Sequence, residues 1–209
     1  MNIEIWSDVA CPFCYIGKRH LEQALKQLPG LDVNITWKSF ELDPNAPLNS
    51  DLDIYDTLAK KYGRDRNWAK QMNANMVSMA SKAGLNFDMD SLIPTNTFNA
   101  HQLIHLAKEE GKQNEMKEAL LSAYFSEGEH LGEPNTLVEI AKQIGIDEQK
   151  AKKVLENNSY SNKVVKDVEE AHSLGVQGVP FFYINKKYGL SGAQPVKVFV
   201  ETLSKIASE

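Results

Sequence analysis

The sequence Cys11-Pro12-Phe13-Cys14 contains the only two cysteines of the 209-residue chain. It follows a short apolar run, residues 3–6, and precedes a segment in which apolar residues recur at spacings of three and four. This arrangement predicts a buried strand that passes directly into an amphipathic helix, with Cys11 at the helix N-terminus. Unpaired backbone N–H groups and the positive end of the helix dipole stabilise a thiolate at that position.

The spacing of the two cysteines assigns them different environments. Cys14 follows Cys11 by three residues, so a helix places both on one side, within reach of a disulfide. Cys14 also falls on the apolar stripe of the predicted helix. We therefore expect an exposed attacking thiol at Cys11 and a shielded resolving thiol at Cys14. Pro12 suits the first helical position, where its missing N–H would have no partner.

The overall composition limits the classes of partner. A chain of 209 residues can bury one large core, or one core with a sizeable insertion. The formal net charge is −5, and no long block of one sign occurs. This balance disfavours nucleic acid and anionic membrane surfaces as partners.

The first residues and the lengths of the apolar runs predict the compartment. The first residues lack the basic and apolar regions of a secretion signal, and no apolar run of about 18 residues could span a bilayer. We therefore expect a cytoplasmic protein. A permanent structural disulfide is uncommon there, so the two cysteines indicate a redox pair or metal ligands.

A metal site is disfavoured by the ligands at hand. Zinc usually needs four ligands, and no second cysteine pair exists to complete such a set. His101 and His105 have the i, i+4 spacing of a helical metal site, but no third ligand is evident. We expect them to be surface or packing histidines, and we expect no metal.

The order of predicted elements defines the architecture. Residues 33–40 alternate as a second strand, residues 181–184 and 187–192 form a hairpin, and residues 195–207 form the last helix. Between them the sequence predicts helices at 51–62, 65–83, 98–110, 113–127, 135–144, 147–157 and 160–174. The order is β-α-β, a long helical block, then β-β-α. We interpret it as an α/β domain of residues 1–46 and 175–209, with an inserted helical subdomain of residues 47–174.

Five segments resemble one family of proteins. They are residues 7–19 (SDVACPFCYIGKR), 40–44 (FELDP), 100–103 (AHQL), 123–128 (AYFSEG) and 178–182 (GVPFF). Together with the element order, they resemble the FrnE-like branch of the DsbA family of thiol:disulfide oxidoreductases. The resemblance covers nearly the whole chain and implies a thioredoxin-like fold with a helical insertion. It also implies that the protein is a thiol:disulfide oxidoreductase or isomerase.

The resemblance also implies roles for residues. Cys11 is the expected nucleophile, Cys14 the resolving cysteine and Pro180 a cis-proline facing the pair, with Pro12 and Phe13 as active-site support. Val179, held extended by the following proline, is the expected substrate-binding residue, because its backbone groups can pair with a substrate strand. Thiol- or disulfide-containing proteins or small molecules are the expected partners. No cofactor beyond the dithiol is implied, glutathione remains a candidate reductant or substrate, and the oligomeric state stays open.

One position departs from the family pattern, and two others are further candidates. Relatives often carry Trp at the position of Phe13, and periplasmic DsbA proteins carry His. Phe13 offers the Cys11 sulfur neither charge nor hydrogen bond, so the resemblance does not fix the redox potential. Lys38 and Glu41, at the end of the second strand, are candidates for a buried charge that assists proton transfer to the resolving thiol.

Other functions are compatible with the same element order. Kappa-class glutathione transferases and chromene-carboxylate isomerases insert helices into this fold and bind glutathione. They generally have Ser where this chain has Cys11, which argues against them. A chaperone or scaffold that uses the helical block to bind partners is the non-enzymatic alternative.

Overall fold

A computed structural model describes residues 1–209 of the protein. Its four strands are β1 (Asn2–Ser7), β2 (Asn34–Ser39), β3 (Phe181–Ile184) and β4 (Tyr188–Ser191), and they form one sheet in the order β2-β1-β3-β4. Strand β1 is parallel to β2 and antiparallel to β3, which is antiparallel to β4. The predicted α/β fold class is confirmed.

Nine helices accompany the sheet, seven of them between β2 and β3. They are α1 (Pro12–Lys26), α2 (Ile54–Tyr62), α3 (Arg66–Lys82), α4 (Phe98–Glu109), α5 (Gln113–Phe125), α6 (Pro134–Gln143), α7 (Glu148–Glu156), α8 (Ser161–Ser173) and α9 (Val196–Ala207). Every helix of the predicted block is present, with ends within three residues of the predicted ones. None of the helices is both long and apolar enough to cross a membrane.

The first strand lies in the middle of the sheet and is buried on both faces. Ile3, Ile5 and Trp6 are all buried, as the apolar run predicts for a central strand. Since β1 and β2 are parallel, the chain must cross between them, and α1 makes that crossover. Cys11 therefore lies at the C-terminal end of this central strand, where the chain enters α1.

Helices α2 to α8 occupy the part of the chain where the 47–174 insertion is predicted. The apolar faces of α3 to α7 join the sheet, α1 and α9 in one cluster of 40 buried hydrophobic residues, whereas α8 contributes Ala171 to a second cluster with Trp6 and Phe40. Burial in a shared core is what the apolar periodicity of these helices requires. The division into a main domain and an inserted subdomain remains a prediction.

The loop before β3 packs closely on α1 because of a glycine. A Cβ added at Gly17 would lie 3.0 Å from Pro180 Cγ, tighter than nearly all real contacts, and 3.5 Å from the Ala193 Cα. Only a residue without a side chain lets the helix approach this closely. Gly17 follows Cys14 by three residues, so this contact brings Pro180 beside the cysteine pair.

Candidate active site

The two cysteines lie where β1 passes into α1. Cys11 is the N-cap residue of α1, with φ −100° and ψ 109°, and Pro12 occupies the first turn. The Cys14 N–H donates to the Cys11 carbonyl over 3.0 Å, and both thiols are free. The sequence-predicted position of Cys11 at the helix N-terminus is confirmed.

The loop before β3 covers Cys11. The Cys11 Sγ lies 3.5 Å from the Val179 carbonyl oxygen, to which the thiol donates. Cys11 is 2% exposed and Cys14 is fully buried, so the prediction of an exposed thiol at Cys11 is wrong. Cys11 is nevertheless the outer cysteine, because it retains a little exposed surface and Cys14 has none.

The Val179–Pro180 peptide bond is cis and lies beside Cys11, as predicted. Pro180 is buried against α1, whereas Val179 and Gly178 are half-buried. The Val179 N–H has no acceptor within the protein. A backbone donor is thus free at the surface, next to the outer cysteine.

The pKa values of the two thiols are shifted in opposite directions. Burial raises the pKa of the Cys11 thiol well above its usual range, and a negative charge on Cys14 raises it further. Burial acts on Cys14 in the same sense, but the hydrogen bond from Cys11 and the Lys117 ammonium outweigh it, so the pKa of Cys14 is lowered. The pair therefore releases one proton readily and holds the other. The expected stabilisation of a Cys11 thiolate by the helix N-terminus is outweighed by burial.

A buried lysine on α5 faces the pair. Lys117 is 1% exposed, and its Nζ donates to the Ser7 carbonyl over 3.4 Å. The ammonium also lies 5.7 Å from the centre of the Trp37 ring. Sequence reasoning missed Lys117, because its position on a helix with an ordinary apolar pattern gives no sign that it points inward.

A buried carboxylate holds the segment between β1 and Cys11. Asp8 accepts hydrogen bonds from the Thr97 hydroxyl over 2.8 Å and from the Leu42 N–H over 2.7 Å, and the His101 Nε2 lies 3.3 Å from its Oδ1. Burial raises the pKa of Asp8, but these contacts, led by His101, lower it overall. Burial lowers the pKa of His101 despite the adjacent carboxylate. Asp8 thus fixes the loop that carries Cys11.

Lys38 is paired with carboxylates of α8 and not with the cysteines, whereas the predicted role of Glu41 in proton transfer stays a prediction. The Lys38 Nζ pairs with Asp167 over 2.9 Å and with Glu170 over 2.8 Å, which joins β2 to α8. Burial, with a smaller effect of Asp8, raises the pKa of Glu41 to about 7. Their carboxylate partners hold Lys38 on the α8 side, and the positive charge that faces Cys14 comes from Lys117 instead.

Both histidines of α4 are buried and hydrogen-bonded. His101 contacts Asp8, and the His105 Nε2 lies 3.2 Å from an Asp167 oxygen and 3.2 Å from the Ser39 hydroxyl. Of the two predicted possibilities, surface or packing, the structure supports packing. No group of three or more His, Cys, Asp or Glu side chains is arranged to hold a metal ion.

A surface cavity of about 590 Å³ does not include the cysteines. Charged residues of α1 and α5 line it, and Glu118 is paired there with Lys18 and Arg19.

The sheet, the crossover helix and a Cys-x-x-Cys pair at the start of that helix define a protein of the thioredoxin class. The chain belongs to the family of DsbA-like thioredoxin domains, whose model matches residues 2–204.

Individual relatives agree with this assignment. The chain is similar to the probable DsbA oxidoreductase SCO1869 of Streptomyces coelicolor, with 36% identity, a TM-score of 0.95 and coverage of 100% of this chain and 91% of that one. The uncharacterized protein YwbO of Bacillus subtilis (strain 168) is 29% identical over 98% of this chain and 96% of its own length. The cytosolic disulfide reductase DsbM of Pseudomonas aeruginosa, solved with GSH, shares the fold at 14% identity, with a TM-score of 0.70 and full coverage of both chains.

Proposed function

We propose that this protein catalyses thiol:disulfide exchange with Cys11 as nucleophile and Cys14 as resolving cysteine. The observation that carries the proposal is the position of the Cys11 sulfur, 3.5 Å from the Val179 carbonyl at the start of the cis-proline loop. A substrate segment that pairs with the Val179 backbone would lie against the Cys11 sulfur. Phe13 then contributes an exposed apolar contact beside the reacting atoms.

The first step converts the reduced pair into a mixed disulfide. Cys14 ionises first, because it holds its proton less tightly, and its thiolate accepts the Cys11 proton as the Cys11 sulfur attacks the substrate disulfide. The Cys11–substrate S–S bond forms and the substrate S–S bond breaks. The released substrate sulfur leaves with the electron pair and takes a proton from water.

The second step releases the remaining substrate sulfur. Cys14 loses its proton and attacks the Cys11 sulfur, so that the Cys11–Cys14 bond forms and the mixed disulfide breaks. The substrate gains two electrons and the pair loses two. Two molecules of a small thiol such as glutathione restore the dithiol by the reverse exchange and leave joined as their own disulfide, and no metal, nucleotide or flavin is required.

The same proposal covers compartment and partners. A reducing cytoplasm suits a dithiol that must be regenerated by a thiol, and the relative solved with GSH is a cytosolic reductase. We propose thiol- or disulfide-containing proteins or small molecules as substrates. A glutathione transferase, a chromene-carboxylate isomerase or a scaffold on this fold would not need both cysteines.

Replacing Cys14 with serine tests the assignment of roles. Without its resolving thiol, the Cys14→Ser variant should accumulate a mixed disulfide on Cys11 when it meets a disulfide-bonded protein. Non-reducing electrophoresis and peptide mass analysis give the yield and the site. The Cys11→Ser variant, in which only the inner thiol remains, is the matched control and should trap at least about tenfold less. Equal trapping by the two variants would refute the assignment, and no trapping by either would favour the scaffold.

A further inference from the structure

The ammonium of Lys117 is buried without a carboxylate partner. Its one hydrogen bond, to the Ser7 carbonyl, is long at 3.4 Å, although an ammonium has three donors. Lys18, the other buried lysine, pairs with both Glu22 and Glu118. A buried charge is usually paired, because leaving water is costly. Lys117 therefore lacks the countercharge that the fold provides for Lys18.

The cysteine pair supplies the available countercharge. The titratable groups that face Lys117 from the β1–α1 loop, α1 and α4 are Asp8, Cys11, Cys14, Lys18 and His101. Asp8 is already engaged by Thr97, the Leu42 N–H and His101. The Cys14 sulfur forms no hydrogen bond with a carboxylate or an ammonium. The negative charge of its thiolate is therefore the charge that Lys117 can compensate.

We propose that Lys117 is a positioning residue that stabilises the thiolate of Cys14 in the resolving step. The proposal rests on the proposed function and adds a role for the helical block, since α5 brings the charge beneath a pair that α1 carries. The Ser7–Asp8 peptide connects the two sides. Its carbonyl accepts from Lys117, and its Asp8 N–H is among the groups that lower the pKa of Cys14.

In chemical terms, Lys117 acts between the two exchange steps. After Cys11 has formed the mixed disulfide, Cys14 carries a proton, which it must release to water before it attacks. The ammonium favours the thiolate that remains, and this thiolate breaks the Cys11–substrate bond as the Cys11–Cys14 bond forms. The electron pair leaves with the substrate sulfur, so the step needs no further oxidant.

The titration of Lys117 fits this role. Burial lowers the pKa of Lys117 to about 8, against the opposing effect of Cys14 and Asp8. The side chain is therefore charged in most molecules at neutral pH and loses its charge as the pH rises through about 8. The stabilisation of the Cys14 thiolate is available at neutral pH and fades as Lys117 deprotonates.

Two kinetic phases separate the role of Lys117 from the proposed function itself. Mixing reduced protein with the nitrobenzoate disulfide DTNB releases one coloured thiolate when Cys11 attacks and a second when Cys14 resolves. The second phase is independent of DTNB concentration. Lys117→Met should slow the second phase about three- to tenfold at neutral pH, since a loss of thiolate is partly offset by higher nucleophilicity. The first phase should slow less than the second, because Cys14 only accepts the Cys11 proton in it and a Cys14 thiolate of higher pKa is the stronger base.

Controls and contrary outcomes follow from the same traces. Lys112→Met, which removes a lysine at the N-terminus of the same helix, should leave both phases unchanged. A second phase that is equally fast in Lys117→Met and wild type overturns the role of Lys117. A wild-type protein that releases no second thiolate does not close its disulfide, and the proposed function then fails instead.

Two further measurements keep the test decisive. In a Cys11→Ser background, the thiolate absorbance of Cys14 should titrate at higher pH when Lys117→Met is added, and an unchanged midpoint contradicts the proposal. Should Lys117→Met not fold, the wild-type second phase alone is informative. Its pH midpoint should lie below the usual thiol value of about 8.5, and a midpoint at or above that value overturns the proposal.

Discussion

Replacing Cys11 with serine is expected to lower disulfide turnover at least about a thousandfold, because the hydroxyl cannot replace the thiolate as nucleophile. The substitution changes one atom at a buried position, so the free energy of unfolding should stay close to that of the wild type. Turnover is measured as the reduction of a protein disulfide with glutathione as the electron donor. Denaturant unfolding of the same samples supplies the control.

Residual turnover separates the alternatives for this fold. A Cys11→Ser variant that retains more than about a tenth of the wild-type rate contradicts the role of Cys11 and favours chemistry elsewhere on the chain. Inertness of the wild type in both disulfide reduction and thiol oxidation favours the glutathione-binding or scaffold alternatives.

The second large effect is expected for the carboxylate that joins β2 to α8. Asp167 accepts from the Lys38 Nζ over 2.9 Å and from the Ser39 N–H over 2.9 Å, and it contacts His105. Asp167→Ala leaves a lysine and a buried backbone donor without this partner. We expect a loss of about 3–5 kcal/mol in the free energy of unfolding, measured by denaturant titration.

Glu170 provides a matched control on the same helix. It pairs with the same Lys38 over 2.8 Å, but its side chain is 39% exposed. Glu170→Ala should therefore cost less than about 1 kcal/mol. A loss for Asp167→Ala no larger than that for Glu170→Ala would show that burial of the ion pair does not strengthen the β2–α8 contact.

The pH dependence of the Asp167 effect has a defined sign. Burial raises the pKa of Asp167, but His105, the Ser39 N–H and Lys38 outweigh it and lower the pKa below 3.8. A depressed folded-state pKa stabilises the fold at pH values above the unfolded pKa, and this stabilisation is lost as pH falls through the folded value. The difference between wild type and Asp167→Ala should therefore be largest near neutral pH and shrink in acid.

Most of the fold could be predicted because its signals are local. Period-two and helical spacing, with glycine and proline at the ends, identified the four strands and the seven helices between β2 and β3. The position of the two cysteines at the start of α1 is predictable for the same reason, since the strand, the motif and the helix are contiguous. The loop at Pro180 was recognised only through the family resemblance, because Val179-Pro180 alone carries little information.

The charged surroundings of the pair could not be predicted, because they depend on residues far apart in the chain. Asp8 meets Thr97 and His101 across about 90 positions, and Lys117 approaches the Ser7 carbonyl across 110. A buried lysine looks like an exposed one in an amphipathic pattern. The burial of Cys11 was missed for the same reason, since it depends on the loop at Val179.

The central claim is that Cys11 and Cys14 form a reversible redox pair, and its redox potential tests that claim most directly. The protein is equilibrated with glutathione buffers, and the fraction of Cys11–Cys14 disulfide is measured by thiol alkylation and mass analysis. We predict a potential between the thioredoxin value of about −270 mV and the DsbA value of about −120 mV. A pair that forms no disulfide in any buffer would contradict the claim, and a potential at or above the DsbA value would contradict the proposed reductase direction.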